Sequence, residues 1–214
     1  MDGVPLHLQI ITPQTRNTID SDTLHPCLVY VQGFAWLEQN INAKLGILSR
    51  LAEKGYVIAV VEYRHSGIAP FPAQALDTRN AIRFMKIHAA ENNVDMDKVF
   101  VGGDSSGGHT AMFSQLLHDD DQDTNLYPGT NADVKGILSI HEDTILSPIL
   151  MFHGTKDRTI NPRVSVTVYQ KLKSCGKDVR LYLLEGADHG GSEFWTEETQ
   201  EIVVKFFNGS LTDN

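Results

Sequence analysis

The sequence predicts an α/β fold, one domain over residues 1–214 built on a mostly parallel sheet with helices on both faces. Three observations carry this. Short β-rich runs alternate with longer stretches of helical period, the pattern of strands joined by crossover helices. Four of the runs are continuously apolar, as strands buried on both faces must be. The chain has 214 residues, 41% of them hydrophobic, enough for one full core but not for two.

Taken in order, "PLHLQII" (5–11) alternates in polarity and reads as an outer strand. The buried strands are "CLVYVQ" (27–32), "YVIAVVEY" (56–63), "KVFVGG" (98–103) and "ILMFHG" (149–154). Between them, "NINAKLGILSRLAEKG" (40–55) spaces Ile41, Leu45, Leu48 and Leu51 by three and four, which puts them on one helical face, with Gly55 as a stop. "FPAQALDTRNAIRFMKIHAAEN" (71–92) predicts a second covering helix after Pro72. "NPRVSVTVYQKLKSCG" (161–176) predicts a third with Pro162 at its start, and "SEFWTEETQEIVVKFF" (192–207) a fourth. There is no internal repeat.

Composition narrows the partners. A net charge of −9 and a pI near 5.4 argue against nucleic acid or an anionic membrane, because phosphate binding draws on clustered Lys and Arg. No apolar run approaches the ~20 residues of a membrane span, and "MDGVPLHLQI" lacks the basic-then-apolar start of a signal peptide, so a cytoplasmic protein is expected. Cys27 and Cys175 form neither a disulfide framework nor a metal site. The polar run "HDDDQDTNLYPGTNAD" (118–133) echoes a calcium loop at Asp119, Asp121 and Asp123. Thr124 and Thr130 stand where such a loop needs Gly and Glu, so it reads as a solvated loop without metal.

The chemistry concentrates in "VFVGGDSSGGHTA" (99–111), where Gly103-Asp104-Ser105-Ser106-Gly107 fits G-x-S-x-G between a predicted strand and a predicted helix. That context is a nucleophile elbow, whose sharp turn needs small flanking residues. Neither GxxxxGK[ST] nor a correctly placed GxGxxG is present, which sets aside a phosphate loop. Ser105 is the central serine, and Ser106 is assigned a main-chain role, lending its N–H to an oxyanion hole. A serine hydroxyl needs a base to take its proton, and the base needs a carboxylate to fix its tautomer. In elbow hydrolases the order along the chain is serine, acid, histidine. Asp157, in the turn after "ILMFHG", and His189, in "GADHG", satisfy it. The competitors are His141 and His153 for the base, and Asp143, Glu185 and Asp188 for the acid. His153 precedes the acid and suits a structural or pocket-lining role. The second oxyanion donor is expected in "VQGFAW" (31–36), from Gly33 or Phe34, where an ordinary strand-end turn is the alternative. Trp36, Phe71 and Trp195 are candidate substrate-binding walls, although such residues also fill cores.

On these motifs the sequence resembles the α/β-hydrolase superfamily, and within it the esterases grouped around hormone-sensitive lipase and the bifunctional acetyl-xylan and feruloyl esterases. "VQGFAW" is similar to their HGGGW segment, with Gln32 and Phe34 departing from its His and Gly. "EYRHSGIAPFPAQALD" is similar to their YR…FPA…D segment, and "GDSSGGH", "HGTKD" and "GADHG" resemble their nucleophile, acid and base motifs. The resemblance implies cofactor-free hydrolysis of short-chain carboxylic esters by Ser105, Asp157 and His189. It also implies acetyl or feruloyl groups on plant polysaccharide as substrates. Two rivals stand beside this reading: a small peptidase with the same triad, and a hydrolase-fold scaffold impaired in catalysis.

One segment departs from the resemblance. If "VKGILSI" (134–140) is a strand and "ILMFHG" the next, only residues 141–148 join them, fewer than the dozen or so a parallel crossover usually takes. The expectation is therefore that residues 134–140 are displaced or irregularly paired, leaving an open mouth above Ser105 and an exposed apolar face. Self-association into a homo-oligomer and weak activity on small activated esters would follow.

Overall fold

Among the described residues, 5–13, 23–117, 125–140 and 148–209 of a computed structural model, seven strands form one sheet. The elements run β1 (Leu8–Ile11), β2 (His25–Val31), α1 (Leu45–Glu53), β3 (Val57–Val61), α2 (Ala73–Ile87), β4 (Val94–Asp104) and α3 (Ser106–Ser114). They continue with β5 (Gly136–Ile140), β6 (Ile149–Gly154), α4 (Arg163–Ser174), β7 (Val179–Leu184), a 3₁₀ turn over Ser192–Trp195, and α5 (Glu197–Phe207). The sheet order is β1-β3-β2-β4-β5-β6-β7. β1 lies at the edge, as its alternating sequence predicts, and pairs antiparallel with β3, while the other neighbours are parallel.

Residue parity sorts the core into two faces. Leu28, Tyr30, Ile58, Val60, Phe100, Leu138, Leu150 and Phe152 point to the face covered by α1 through Leu48 and Leu51, and by α5 through Phe206 and Phe207. Cys27, Val29, Val57, Ala59, Val99, Val101 and Ile137 point to the other, beneath Ile82 and Met85 of α2 and Ala111 and Met112 of α3. Val168 and Leu172 of α4 extend that cover over Ile149, Met151 and Val179. Burial on both sides explains the continuous apolar runs. Burial also pushes the Cys27 thiol up to about 12, whereas Cys175, just past α4, is exposed.

Two expectations are corrected. β5 is not displaced: it pairs in parallel with β4 over Phe100↔Gly136 to Asp104↔Ile140, and with β6 over Ile137↔Ile149, Leu138↔Leu150 and Ser139↔Met151. Eight residues at full extension reach about 26–29 Å, more than the roughly 16 Å length of a five-residue strand, so chain reach permits the parallel pairing. Nor is the neighbouring face bare. Ile137, Ile149 and Met151 are buried, because α3 packs on β5 as well as β4 and α4 packs from the side of β7. The driving force expected for self-association is therefore missing on that face. The helix predicted over residues 192–207 is split by Thr196, whose extended backbone and side-chain oxygen, accepting from Thr199 N at 3.3 Å, cap α5.

The acidic run with Asp119, Asp121 and Asp123 lies outside the described residues, as do His141 and Asp143. No helix among the described residues is long and apolar enough to cross a membrane.

Two glycines inside helices test the packing. A Cβ on Gly107 in α3 would stand 2.0 Å from the Val31 carbonyl oxygen, whereas one on Gly46 in α1 meets nothing within 4 Å. Gly107→Ala should cost at least about 2 kcal/mol in urea unfolding, and Gly46→Ala should gain about 0.5–1 kcal/mol. Equal midpoints for Gly107→Ala and wild type would refute the close approach.

Candidate active site

β4 ends at Asp104 and α3 begins at Ser106, so Ser105 alone makes the turn, with φ 48° and ψ −130°. A non-glycine residue held there stores on the order of 1–3 kcal/mol, and surrounding structure must enforce it. The enforcement is steric. A Cβ at residue 103 would lie 2.3 Å from the Val31 carbonyl oxygen and 2.6 Å from the Gly107 carbonyl carbon. Glycine at both positions lets strand and helix close on the end of β2.

The Ser105 Oγ lies 3.1 Å from His189 Nε2, and His189 Nδ1 lies 2.9 Å from Asp157 Oδ2. The structure thus brings together the three residues that chain order selects. Asp157 sits in the turn after β6, His189 in the loop after β7, and the two segments touch: a Cβ at Gly154 would fall 2.4 Å from the Ala187 carbonyl oxygen. Asp157 Oδ1 accepts the N–H groups of Thr159 and Ile160, each at 2.8 Å. Burial works to raise this carboxyl, but the Ile160 N–H, the His189 imidazole and the Thr159 N–H outweigh it and hold it below the ordinary range.

The competing groups have other partners. Asp188 Oδ1 accepts from the backbone N–H of His189 at 2.9 Å and of Arg158 at 3.0 Å, and the Arg158 guanidinium binds its other oxygen. With the Arg158 side chain as the main cause, its carboxyl falls to about 2. This ion pair joins the loop that carries His189 to the turn that carries Asp157. His153 is fully buried, with Nε2 3.1 Å from Asp157 Oδ2.

The "VQGFAW" loop reaches the elbow through polar contacts that its spacing does not announce. The Gly33 N–H donates to Asp104 Oδ1 at 3.1 Å, and the Phe34 and Trp36 N–H groups donate to Ser106 Oγ at 3.1 and 3.3 Å. Ser106 therefore has a side-chain role that the sequence reading did not give it. Asp104 is satisfied further by the Tyr30 hydroxyl at 2.5 Å and by the Lys44 ammonium. The one available sequence signal for Asp104 is its place beside the nucleophile in G-D-S. Nothing in spacing points to Tyr30 or Lys44.

The three candidate walls separate. Trp36 is 37% exposed, donates Nε1–H to Thr110 Oγ1 at 3.1 Å, and stacks edge-on against His109. His109 leans on Phe113, and Phe113 on Phe71, which is 58% exposed. An aromatic strip thus runs along α3 from the elbow. Trp195 is no wall: it is 8% exposed and packed in the core edge-on to Tyr30. A cleft of ≈ 550 Å³ lies elsewhere, between β1, β3 and α2, and no triad residue lines it.

The depressed Asp157 carboxyl carries a stability signature. Its folded value lies below the ordinary carboxylate value of about 3.9, so its contribution is complete above that value and is lost as pH falls through the folded one. Wild type should therefore keep its difference in thermal unfolding from Asp157→Asn above about pH 4, the gap shrinking as pH falls below it. A gap that widened in acid would refute this assignment.

Comparison with known proteins follows the same lines. Residues 8–144 match the BD-FAE family, and residues 123–213 match the prolyl oligopeptidase family. A probable carboxylic ester hydrolase, LipM of Mycobacterium tuberculosis, is 28% identical over 145 residues, 67% of this chain and 31% of that protein. Esterase LipC of the same organism is 29% identical over 118 residues, 54% of this chain and 29% of that protein. The chain thus spans about a third of the length of these curated relatives. Among solved structures, the butyrate-bound thermophilic esterase Est2 of Thermogutta terrifontis superposes with a TM-score of 0.80 at 21% identity, covering 100% of this chain and 93% of that one. Since the match over residues 8–144 takes in most of the sheet, the elbow and the loop facing it, the chain belongs to the BD-FAE family, within the α/β-hydrolase superfamily.

Proposed function

We propose that the protein is a serine carboxylesterase that cleaves short-chain carboxylic esters through an acyl-enzyme. One observation carries the reading: Ser105, strained into the left-handed region, has its hydroxyl 3.1 Å from an imidazole whose other nitrogen lies 2.9 Å from a buried carboxylate. Ser105 attacks the ester carbonyl while His189 takes its proton, then returns it to the leaving alcohol; water repeats the sequence to release the acid. Asp157 holds His189 with Nδ1 protonated, leaving Nε2 as acceptor.

The tetrahedral intermediate needs donors aimed at its oxygen. The main-chain N–H of Ser106, at the start of α3, is the first. For the second, the contacts favour Phe34 over Gly33: the Gly33 N–H is held by a carboxylate, the Phe34 N–H only by the hydroxyl of Ser106. A substrate oxyanion competes readily with a neutral hydroxyl and poorly with a charged acceptor. Exposed Trp36 and Phe71 offer an apolar surface beside the site, in keeping with an acyl group as small as acetyl or as large as feruloyl on plant polysaccharide. The match of residues 123–213 to the prolyl oligopeptidase family supports a second reading, peptide-bond cleavage by the same triad. Aryl acetates against aminoacyl amides separate the two.

Intact mass after exposure to a fluorophosphonate tests nucleophile and base together, with one adduct expected on wild type and none on Ser105→Ala. Aryl acetate turnover should fall at least ~10³-fold in Ser105→Ala. It should stay within about tenfold of wild type in Ser106→Ala, which keeps its main-chain N–H and loses hydrogen bonds worth about 1 kcal/mol each. Undiminished turnover in Ser105→Ala would sink the assignment.

A further inference from the structure

Outside the triad, one buried titratable side chain touches its acid. His153, near the end of β6, has Nε2 3.1 Å from Asp157 Oδ2, the oxygen that His189 Nδ1 reaches at 2.9 Å. The same nitrogen is 3.2 Å from the Ile160 carbonyl oxygen. Both neighbours accept, so Nε2 carries a proton. Nδ1 meets the hydroxyl of Ser165, a fully buried residue of α4 that can donate to it. With Nε2 carrying the proton, Nδ1 is left to accept from the Ser165 hydroxyl.

Asp157 Oδ1 accepts from the Thr159 and Ile160 N–H groups and Oδ2 from His189, and His153 Nε2 is a further polar contact on Oδ2, its N–H shared between that oxygen and the Ile160 carbonyl. A carboxylate charge shared with one more polar hydrogen holds an imidazolium less tightly than the same charge without it.

We propose that His153 is a positioning residue for the esterase reaction, a neutral donor that fixes the Asp157 carboxylate and moderates its pull on His189, so that the base becomes available at lower pH than the acid alone would allow. The inference rests on the esterase reading above. Among the described residues, these charged and titratable groups face the pair. Asp157 and His189 face each other, Asp188 in the base loop is bound to Arg158, Ser105 faces from the elbow, and α4 contributes the uncharged Ser165.

The test compares wild type with His153→Leu, His153→Gln and Ser165→Ala, following aryl acetate turnover and fluorophosphonate labelling against pH. Removing the donor in His153→Leu should raise the midpoint of the acid limb by about 0.5–1 pH unit, with kcat falling and KM unchanged. His153→Gln places an amide N–H where Nε2 stood and should restore the limb. Ser165→Ala should move it in the same direction by less, and stands in if the leucine variant does not fold. An unmoved limb in the folded variants, or a glutamine variant that behaves as leucine does, would reduce His153 to packing and overturn the proposal. A wild type that takes no label overturns the esterase reading instead. The ring-proton resonance of His189, titrated in the same proteins, then decides the coupling without turnover: movement between variants supports it and coincident curves refute it.

Discussion

The carbonyl oxygen of Val31 occupies the space that side chains at residues 103 and 107 would need, 2.3 Å and 2.0 Å from their hypothetical Cβ atoms. This close approach is the constraint on which the rest of the site depends. It brings the end of β2 against the strand that leads into the elbow and the helix that leaves it. Ser105 then has no regular conformation that connects the two, and takes φ 48°. The strain is supported by a sheet buried on both faces, where shifting one strand would disturb two layers of packing. The same proximity puts the loop after β2 beside the nucleophile, the place from which an oxyanion donor can act.

That loop is itself strained, with Ala35 at φ 51° and Trp36 at φ 57°. Two consecutive non-glycine residues do not adopt this conformation unaided. The residues flanking the nucleophile supply the help. Asp104 accepts from Gly33, Ser106 accepts from Phe34 and Trp36, and the Trp36 carbonyl oxygen takes the N–H and hydroxyl of Ser66. A carboxylate beside the nucleophile would be a liability if its charge stood alone. The Tyr30 hydroxyl and the Lys44 ammonium compensate it, and the cost appears on Tyr30, whose hydroxyl is pushed well up by burial and by the Asp104 charge.

How much of this could be read from the sequence follows from the range of each interaction. The elbow was legible because glycines, serine, strand and helix lie within thirteen consecutive residues. Asp157 and His189 were legible because the fold fixes the order in which strand ends deliver their loops. Strand pairing of β5 with β6 was misjudged, since the usual length of a crossover is a habit of helices and not a limit set by chain reach. Trp195 was misjudged for a different reason: a tryptophan six residues after the base can face the site or the core, and only the split of the helix at Thr196 turned it inward onto Tyr30. The grip of Asp104 and Ser106 on the loop spans about seventy positions and leaves no periodic trace.

The two ends of the site are held by different physics. Ser105 is fixed by repulsion, through backbone atoms that leave room for nothing larger than glycine at its neighbours, and that restraint does not depend on protonation. Asp157 is fixed by attraction, through two backbone N–H groups and the His189 imidazole around one carboxylate, and each of those contacts draws on the charge of Asp157. His189 bridges them, with one nitrogen on each side. Acid therefore acts on the contacts that carboxylates make, at Asp157 and at Asp104, and leaves the backbone close approach untouched. As Asp157 gains its proton it loses an acceptor site, and its donors must compete for what remains, while the Val31 contact holds Ser105 in its strained turn.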